Sequence, residues 1–443
     1  MPGLRWPALP GPRGLMRLAL LQQLGESQWW PPERIRARQL EQLDALVAHA
    51  RAHSPFYAER LAHLPPQLDE AHWQALPILE RETVQAEAAR LRCDAYPREH
   101  GARQALYTSG STGTPVATEQ TELCQLFWEA FTLRDHYWHG RDFSGKLAAL
   151  RHFPAGTLAQ GGGRGPNWGK ATEALVVTGP VTMLDVSATT AEQLAWLARE
   201  DPDYLLVHPT VLRELLDAWA QGARRPASLR QVRTISEALP EGLRALCREV
   251  LGVPMTDLYS TREAGYLALQ CPEHEHYHVQ SENARVEILD EAGRPCGPGE
   301  VGRVVVTPLH NFAFPLLRYA IGDYAEVGDA CPCGRGLPVI KRILGRQRNM
   351  LTYPDGRRVW PILHYRALSR LHPVRQMRMT QHSLERIEVE LVTSVRPDAD
   401  KEAELVAFIR EKLGHPFLVQ FSYPERIERS PGGKFEDFVS RVH

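Results

Sequence analysis

Apolar positions along this chain recur with two periods, and the switching between them predicts its elements. From Arg34 to Leu64, Leu40, Leu43, Leu46 and Val47 fall on one helical stripe, which Ser54-Pro55-Phe56-Tyr57 breaks and restarts. The opening stretch, Met1 to about Gly14, is rich in Pro and Gly and is expected to be loosely ordered. Further along, short apolar runs alternate with longer helical patterns. A helix is expected from Leu123 to Tyr137, then strands at Lys146 to Leu150 and Tyr204 to Val207. His208-Pro209-Thr210 opens a helix from Val211 to Trp219, followed by a strand Val232 to Ile235, a helix Gly242 to Leu251 and a strand Pro254 to Leu258. Such alternation implies βαβ units and parallel sheets, which bind ligands at the carboxyl ends of their strands. The run Gly161-Gly162-Gly163-Arg164-Gly165 lacks Gly-x-Gly-x-x-Gly spacing and reads as a surface loop. Near the end, Arg386 to Val392 alternates charged and apolar residues as a half-exposed strand does, and a helix is expected from Asp400 to Leu413. The fold class is α/β.

Composition narrows the picture. A chain of 443 residues exceeds one ordinary domain, so two or three are expected. With 43% hydrophobic and 24% charged residues it is globular rather than disordered or membrane-embedded. A formal charge of −1 offers no basic surface for nucleic acid or anionic lipid, and the 18 histidines change that only below neutral pH. No apolar run approaches the about 18 residues of a membrane span. Leu15 to Leu21 is short, is interrupted by Arg17 and lacks a small-residue cleavage site, so it does not read as a signal peptide. Seven cysteines, an odd number spread over a long chain, form no disulfide framework. They fit a reducing cytoplasm, with some thiols free for a metal. No nucleic-acid or membrane partner is expected, and the chain reads as a monomer or homodimer.

The first candidate chemistry is Tyr107-Thr108-Ser109-Gly110-Ser111-Thr112-Gly113-Thr114-Pro115. Glycine lets a backbone close on a ligand without a Cβ in the way, and hydroxyls with consecutive N–H groups suit phosphate oxygens. The segment lacks the Gly-Lys-Ser/Thr ending of a Walker loop. On its own it also reads as a flexible Ser/Gly linker. It resembles the phosphate-binding loop of the adenylate-forming superfamily (acyl-CoA synthetases, peptide-synthetase adenylation domains, luciferases), Thr-Ser-Gly-Ser/Thr-Thr-Gly-x-Pro. Three later segments strengthen the resemblance. Tyr259-Ser260-Thr261-Arg262-Glu263 resembles Tyr-Gly-x-Thr-Glu, which implies Tyr259 against adenine and Glu263 as a Mg²⁺ ligand. It departs at Ser260 and Arg262, and Arg262 would bring a fixed positive charge near the phosphates or the substrate carboxylate. Ser236-Glu237-Ala238 occupies the place of the adenine-backbone loop. Pro315-Leu316-Leu317-Arg318-Tyr319-Ala320-Ile321-Gly322-Asp323 resembles the branch motif ending Thr-Gly-Asp, which implies that Asp323 accepts from both ribose hydroxyls.

Two more matches lie towards the carboxy terminus. Gly345-Arg346-Gln347-Arg348-Asn349 resembles the hinge Gly-Arg-x-Asp-Asp, which implies a ribose or phosphate contact for Arg346, although Arg348 and Asn349 replace the two aspartates. Ser430-Pro431-Gly432-Gly433-Lys434-Phe435 resembles the turn carrying a mobile catalytic lysine, here Lys434, whose cation would stabilise charge building in the adenylation transition state. The amino-terminal helices resemble the phenylacetate–CoA ligase branch.

Cysteines form the last constellation. Cys331-Pro332-Cys333-Gly334 is a Cys-x-Cys knuckle, and Cys271 lies upstream with His274, His276 and His278. One Cys, one His and a Cys-x-Cys make the donor set of a closed tetrahedral zinc site. The same branch often shows this pattern, which selects Cys271, His278, Cys331 and Cys333, although His274 or His276 could serve. Reduced cysteines in a loop are the alternative.

The resemblance spans nearly the whole chain. It implies an adenylate-forming fold: a large multi-sheet ATP- and acyl-binding domain, residues 1–344, and a small mobile α/β domain, residues 345–443. It implies attack of a carboxylate on MgATP to give an acyl-adenylate and pyrophosphate, then transfer to coenzyme A. An amine, a hydroxyl or a carrier-protein thiol are alternative acceptors, and a non-catalytic nucleotide-binding relative is a further alternative. His152, Phe153, His208, Thr210 and Ile235 would line the acid pocket, although helix caps and core aromatics explain each of them equally well.

Overall fold

The apolar runs that read as buried strands assemble, in a computed structural model, into one twelve-stranded sheet. The structure describes residues 9–442 apart from 66, 108–115, 155, 160, 174, 362–367 and 431–432. The chain divides into two compact units, Met1–Ile343 and Leu344–His443.

The first unit opens with helices at Pro12–Ser27, Pro32–His53 and Pro55–Arg60, Ser54 capping the last by accepting from Tyr57 N. The Pro12–Ser27 helix was not expected from the Pro- and Gly-rich opening. Pro at its first position has no N–H to lose and a φ already suited to a helix. Arg17 on it is buried, donates to the carbonyls of Lys170 and Ala171, and pairs with Glu129 at 3.0 Å. Strands β1 (Arg103–Tyr107) and β2 (Ala117–Thr121) form a separate antiparallel ladder with Tyr107 opposite Ala117.

The large sheet contains β3 (Leu147–Arg151), β4 (Gly163–Gly165), β5 (Val181–Asp185), β6 (Tyr204–Val207), β7 (Gln231–Thr234) and β8 (Met255–Thr261). It continues with β9 (Gly265–Gln270), β10 (Tyr277–Val279), β11 (Ala284–Leu289), β12 (Val301–Pro308), β13 (Tyr319–Val327) and β14 (Val339–Arg346). Their order is β11-β12-β13-β14-β10-β9-β8-β7-β6-β3-β5-β4. From β8 to β5 all neighbours are parallel, as the βαβ reading requires. The crossover helices Thr190–Glu200, Pro209–Ala220 and Leu243–Leu251 bury Trp196, Leu212, Leu216, Trp219 and Leu246 against it. The glycine run is a correction: Gly163–Gly165 is no loop but pairs antiparallel with β5. A Cβ on Gly162 would stand 2.4 Å from the Met183 carbonyl, so glycine lets this edge close.

The second unit has a four-stranded sheet, β19 (Leu418–Ser422), β18 (Arg386–Thr393), β17 (Val374–Gln381) and β20 (Phe438–Ser440) in that order, beside a small β15 (Leu351–Thr352) and β16 (Arg358–Val359) pair. The helix Ala399–Leu413, capped by Asp398 on Lys401 N, buries Leu405, Ile409 and Leu413 in its core. Among the described residues no helix is long and apolar enough to cross a membrane.

Two histidines in the first unit are held neutral by the fold. His310 stacks on Phe127 at 3.7 Å and its Nε2 lies 2.8 Å from the Glu282 carbonyl. Burial pulls its pKa down to about 4, and burial does the same to His139, against the pull of Asp135. An unfolded imidazole titrates near 6.5, so as pH falls the unfolded chain takes these protons first. Stability should therefore be full above about pH 6.5 and be lost progressively towards pH 4. Thermal midpoints recorded between pH 7.5 and 5 should fall, and His310→Gln should flatten that slope; a midpoint independent of pH over this range contradicts it.

Candidate active site

The carboxyl ends of β3, β6, β7 and β8 line one edge of the parallel sheet, and the segments leaving them carry most of the expected site residues. Parallel neighbours sit about 4.8 Å apart, and in open α/β sheets ligands bind outside the carboxyl ends of such strands.

β8 delivers the first group. A register shift between Tyr259 and Ser260 bends the β8–β9 hairpin, whose turn holds Arg262 and Glu263. Ala264 N donates to Thr261 Oγ1 at 3.0 Å, and Gly265 turns the chain with φ +75°. Asn283 locks that turn, its Nδ2 donating to the carbonyls of Ala264 (2.9 Å) and Tyr266 (2.8 Å). The β1–β2 ladder is fastened to the same turn: Gln120 Nε2 donates to the Arg262 carbonyl at 2.5 Å, and Arg262 Nη1 donates to the Tyr107 carbonyl at 3.0 Å. Thr108, Ser109, Gly110, Ser111, Thr112 and Gly113, the expected phosphate loop, lie outside the described residues; their flanks Tyr107 and Ala117 do not. Among the described residues no cation pairs with the Glu263 carboxylate, which is half-buried beside this junction.

Tyr259 and Asp323 meet directly: the Tyr259 hydroxyl donates to Asp323 Oδ2 at 2.8 Å. Asp323 reaches it because β13 bulges. Arg303 pairs with Tyr324 but Val305 pairs with Ala320, so residues 321–323 leave the ladder. Arg318 in the same motif is structural. It is buried in the left-handed region (φ +51°), pairs with Glu287 at 3.1 Å and donates to the carbonyls of Gln74 and Leu76.

Glu237, His208 and Thr210 form a second group. Glu237 Oε2 accepts from Thr210 N (3.0 Å) and Oγ1 (2.8 Å), which caps the helix Pro209–Ala220 from outside the helix. His208 Nδ1 lies 3.5 Å from the other oxygen, with both side chains buried. Ser236 beside it takes φ +74°, a conformation non-glycine residues rarely adopt. Thr210 and His208 thus serve to position the Ser236-Glu237-Ala238 loop. Ile235 is partly buried against the cluster that contains Leu24, Phe131 and Tyr266. At the end of β3, Phe153 N donates to Asp185 Oδ2 at 2.7 Å, His152 Nδ1 lies 3.6 Å from the same atom, and the Arg151 guanidinium covers the Phe153 ring at 4.6 Å. Gln120, Asn283 and Arg151 were not singled out from the sequence. For Arg151 the signal existed: a cation directly after a buried strand, at the edge where ligands bind.

Arg346 and Lys434 belong to the second unit. Lys434 sits in a tight turn where Ser430 N donates to its carbonyl (2.8 Å), its own N donates to Ser430 Oγ (3.1 Å), and Gly433 takes φ +76°. Arg348 pairs with Glu436 and Asn349 donates to the Phe438 carbonyl, so the residues replacing two hinge aspartates are bonded within this unit.

The cysteine constellation also closes. One ligand atom each of Cys271, His276, His278 and Cys331 lies within 4.8 Å of the others. Cys333 stands beside them, its Sγ 3.4 Å from His278 Nε2. His278 Nδ1 lies 3.4 Å from the Leu337 carbonyl, which leaves Nε2 facing the sulfurs. Burial pulls His278 down to about 4, so it is a neutral imidazole at pH 7.

Residues 171–312 match the model of the AMP-binding enzyme family. Over those residues the chain is similar to AMP-binding enzymes, and over a longer stretch it is similar to phenylacetate–coenzyme A ligases. With that of Thermus thermophilus it is 28% identical over 339 residues, 74% of this chain and 73% of the relative. With that of Pseudomonas putida it is 26% identical over 330 residues, 72% of each. The fold matches crystal structures of 2-hydroxyisobutyryl-CoA ligase in the postadenylation state, one at TM-score 0.71 and 19% identity over 94% of this chain and 91% of that one.

Replacing Asn283 by Ala would leave the Ala264 and Tyr266 carbonyls buried without their donor, at about 1–3 kcal/mol each. Denaturant unfolding of Asn283→Ala should show that loss, and an unchanged midpoint contradicts the lock.

Proposed function

We propose that this chain activates a carboxylic acid with ATP, forming an acyl-adenylate and pyrophosphate, and then passes the acyl group to a thiol, most simply coenzyme A. The observation that carries the reading is the convergence of the Tyr259–Asp323 pair and the Arg262-Glu263 turn at one sheet edge, bonded to the ladder that flanks the hydroxyl-rich loop.

In this reading Tyr259 lies against the base, and Asp323, an ionised acceptor, takes the ribose hydroxyls. Thr108 to Gly113 and the backbone of Ser236-Glu237-Ala238 hold the phosphates and adenine. Glu263 provides the carboxylate for Mg²⁺, whose charge offsets that of the phosphates. The acid needs no general base, being ionised at neutral pH, so the protein acts by alignment and by charge. Arg262 orients the anions from the first unit. Lys434 supplies its cation from the second, which acts as the small lid domain, with Arg346 at the ribose; a lid rotation then exchanges Lys434 for the thiol.

The cysteine cluster is read as a structural zinc centre of Cys271, His278, Cys331 and one of Cys333 or His276. The donor set fits: soft sulfurs, a neutral imidazole oriented through its other nitrogen, and a His276 Nε2 that is buried without a partner.

Two outcomes test the reading. With an acid that supports ATP–pyrophosphate exchange, Lys434→Ala should lose about 100-fold or more, the scale for removing one preorganised charge-stabilising donor, while ATP binding measured by calorimetry persists. Exchange that survives intact in Lys434→Ala removes that assignment, and thioester release separates coenzyme A from other acceptors. Metal analysis should find about one zinc per chain, since four protein ligands close one site. Chelation or Cys331→Ser should lower the melting temperature, and a metal-free chain of unchanged stability contradicts the centre.

A further inference from the structure

We infer that the acid this site activates carries a second anionic group, and that Arg151 is the residue that binds it. The inference rests on the proposed adenylation and specifies its substrate class. Arg151 ends β3, with Phe153 and His152 next to it, three strands from β8 in the order β8-β7-β6-β3. That places its backbone about 14 Å from the β8 end, three spacings of about 4.8 Å. Arg262, at the β8 end, is turned towards the Tyr107 carbonyl and hence towards the loop side of the crevice. An acid whose reacting carboxylate lies there extends its far end towards β3.

Arg151 has no anion of its own. Among the described residues no carboxylate lies within ion-pair distance, and the residues outside the description contain no Asp or Glu. Its neighbour across the parallel ladder, Asp185, is spent elsewhere: its oxygens accept from Phe153 N (2.7 Å) and Ser187 N (2.8 Å) and face His152. The guanidinium rests instead on the Phe153 ring, a placement that fixes it without neutralising it. Surrounding protein and the charge of Arg262 both push its pKa below the usual guanidinium value. Arg151 is exposed at this ligand-binding edge, and a guanidinium resting on a ring with no carboxylate in reach is a receptor for a carboxylate or another planar anion. A dicarboxylic acid offers Arg151 a second carboxylate, whereas a monocarboxylic acid of equal length leaves it unpaired.

The test uses the full chain with MgATP and matched pairs of acids, succinate and glutarate against butyrate and valerate, and phthalate isomers against benzoate, read by ATP–pyrophosphate exchange. The dianionic partner should lead in kcat/KM by about 10–100-fold, the range of a charge-assisted hydrogen bond. Arg151→Gln should collapse that ratio through KM, and Arg151→Lys should restore part of it. Thermal melting confirms that both variants fold. Monoanionic acids preferred by the wild-type chain, or a ratio unchanged in Arg151→Gln, overturn the inference while the adenylation reading stands. Exchange with none of these acids, nor with a wider panel, overturns both.

Discussion

Two hydrogen bonds between elements far apart in sequence decide whether this chain has a site at all. Gln120 and Arg262 are separated by 142 residues, yet the Gln120 amide holds the Arg262 carbonyl while the Arg262 guanidinium holds the Tyr107 carbonyl. The β1–β2 ladder is not part of the large sheet and shares no strand pairing with it. Its attachment to the β8–β9 turn therefore runs through these side chains. Asn283 makes the other half of the junction stiff by holding the carbonyls on both sides of Gly265.

The remaining architecture supports that junction in layers. Parallel strands buried on both faces favour apolar runs, and Tyr204–Val207 supplies one, whereas Gln231–Thr234 buries Gln231 and Thr234 beside Val232. Irregular backbone re-aims particular side chains: the β13 bulge turns Asp323 out of its ladder, and Glu237, after the left-handed Ser236, reaches back to cap the preceding helix Pro209–Ala220. Each departure from regular geometry stands next to a residue that the resemblance had named.

Much of this was legible in the chain. The periodicities marked β3, β6, β7 and the helices Pro209–Ala220 and Leu243–Leu251 within a residue or two but missed β5 and the helix Thr190–Glu200, and the Tyr-x-x-x-Glu and Gly-Asp motifs named two residues, Tyr259 and Asp323, that meet. What stayed hidden was long-range or local in a different sense. Pro12 at the start of Pro12–Ser27 is a helix signal, but its packing through Arg17 was hidden because that support comes from residues 129, 170 and 171. Gly163–Gly165 carries no strand signal, since its pairing follows from the absence of side chains beside β5. His208 and Thr210 read as pocket residues because their position after a strand is the ligand-binding position; their contacts with Glu237, 27 residues on for Thr210, are long-range and were not legible.

The buried Arg17 has a bearing on how the chain is made. Its acceptors stand 153 and 154 positions downstream, so during synthesis the first helix waits, with Leu15, Met16 and Leu18 still solvent-facing in the finished fold, until more than a third of the polypeptide has emerged. A ribosome-bound nascent chain thus holds an unanchored amphipathic segment over a long interval, the circumstance in which a holding chaperone finds its client.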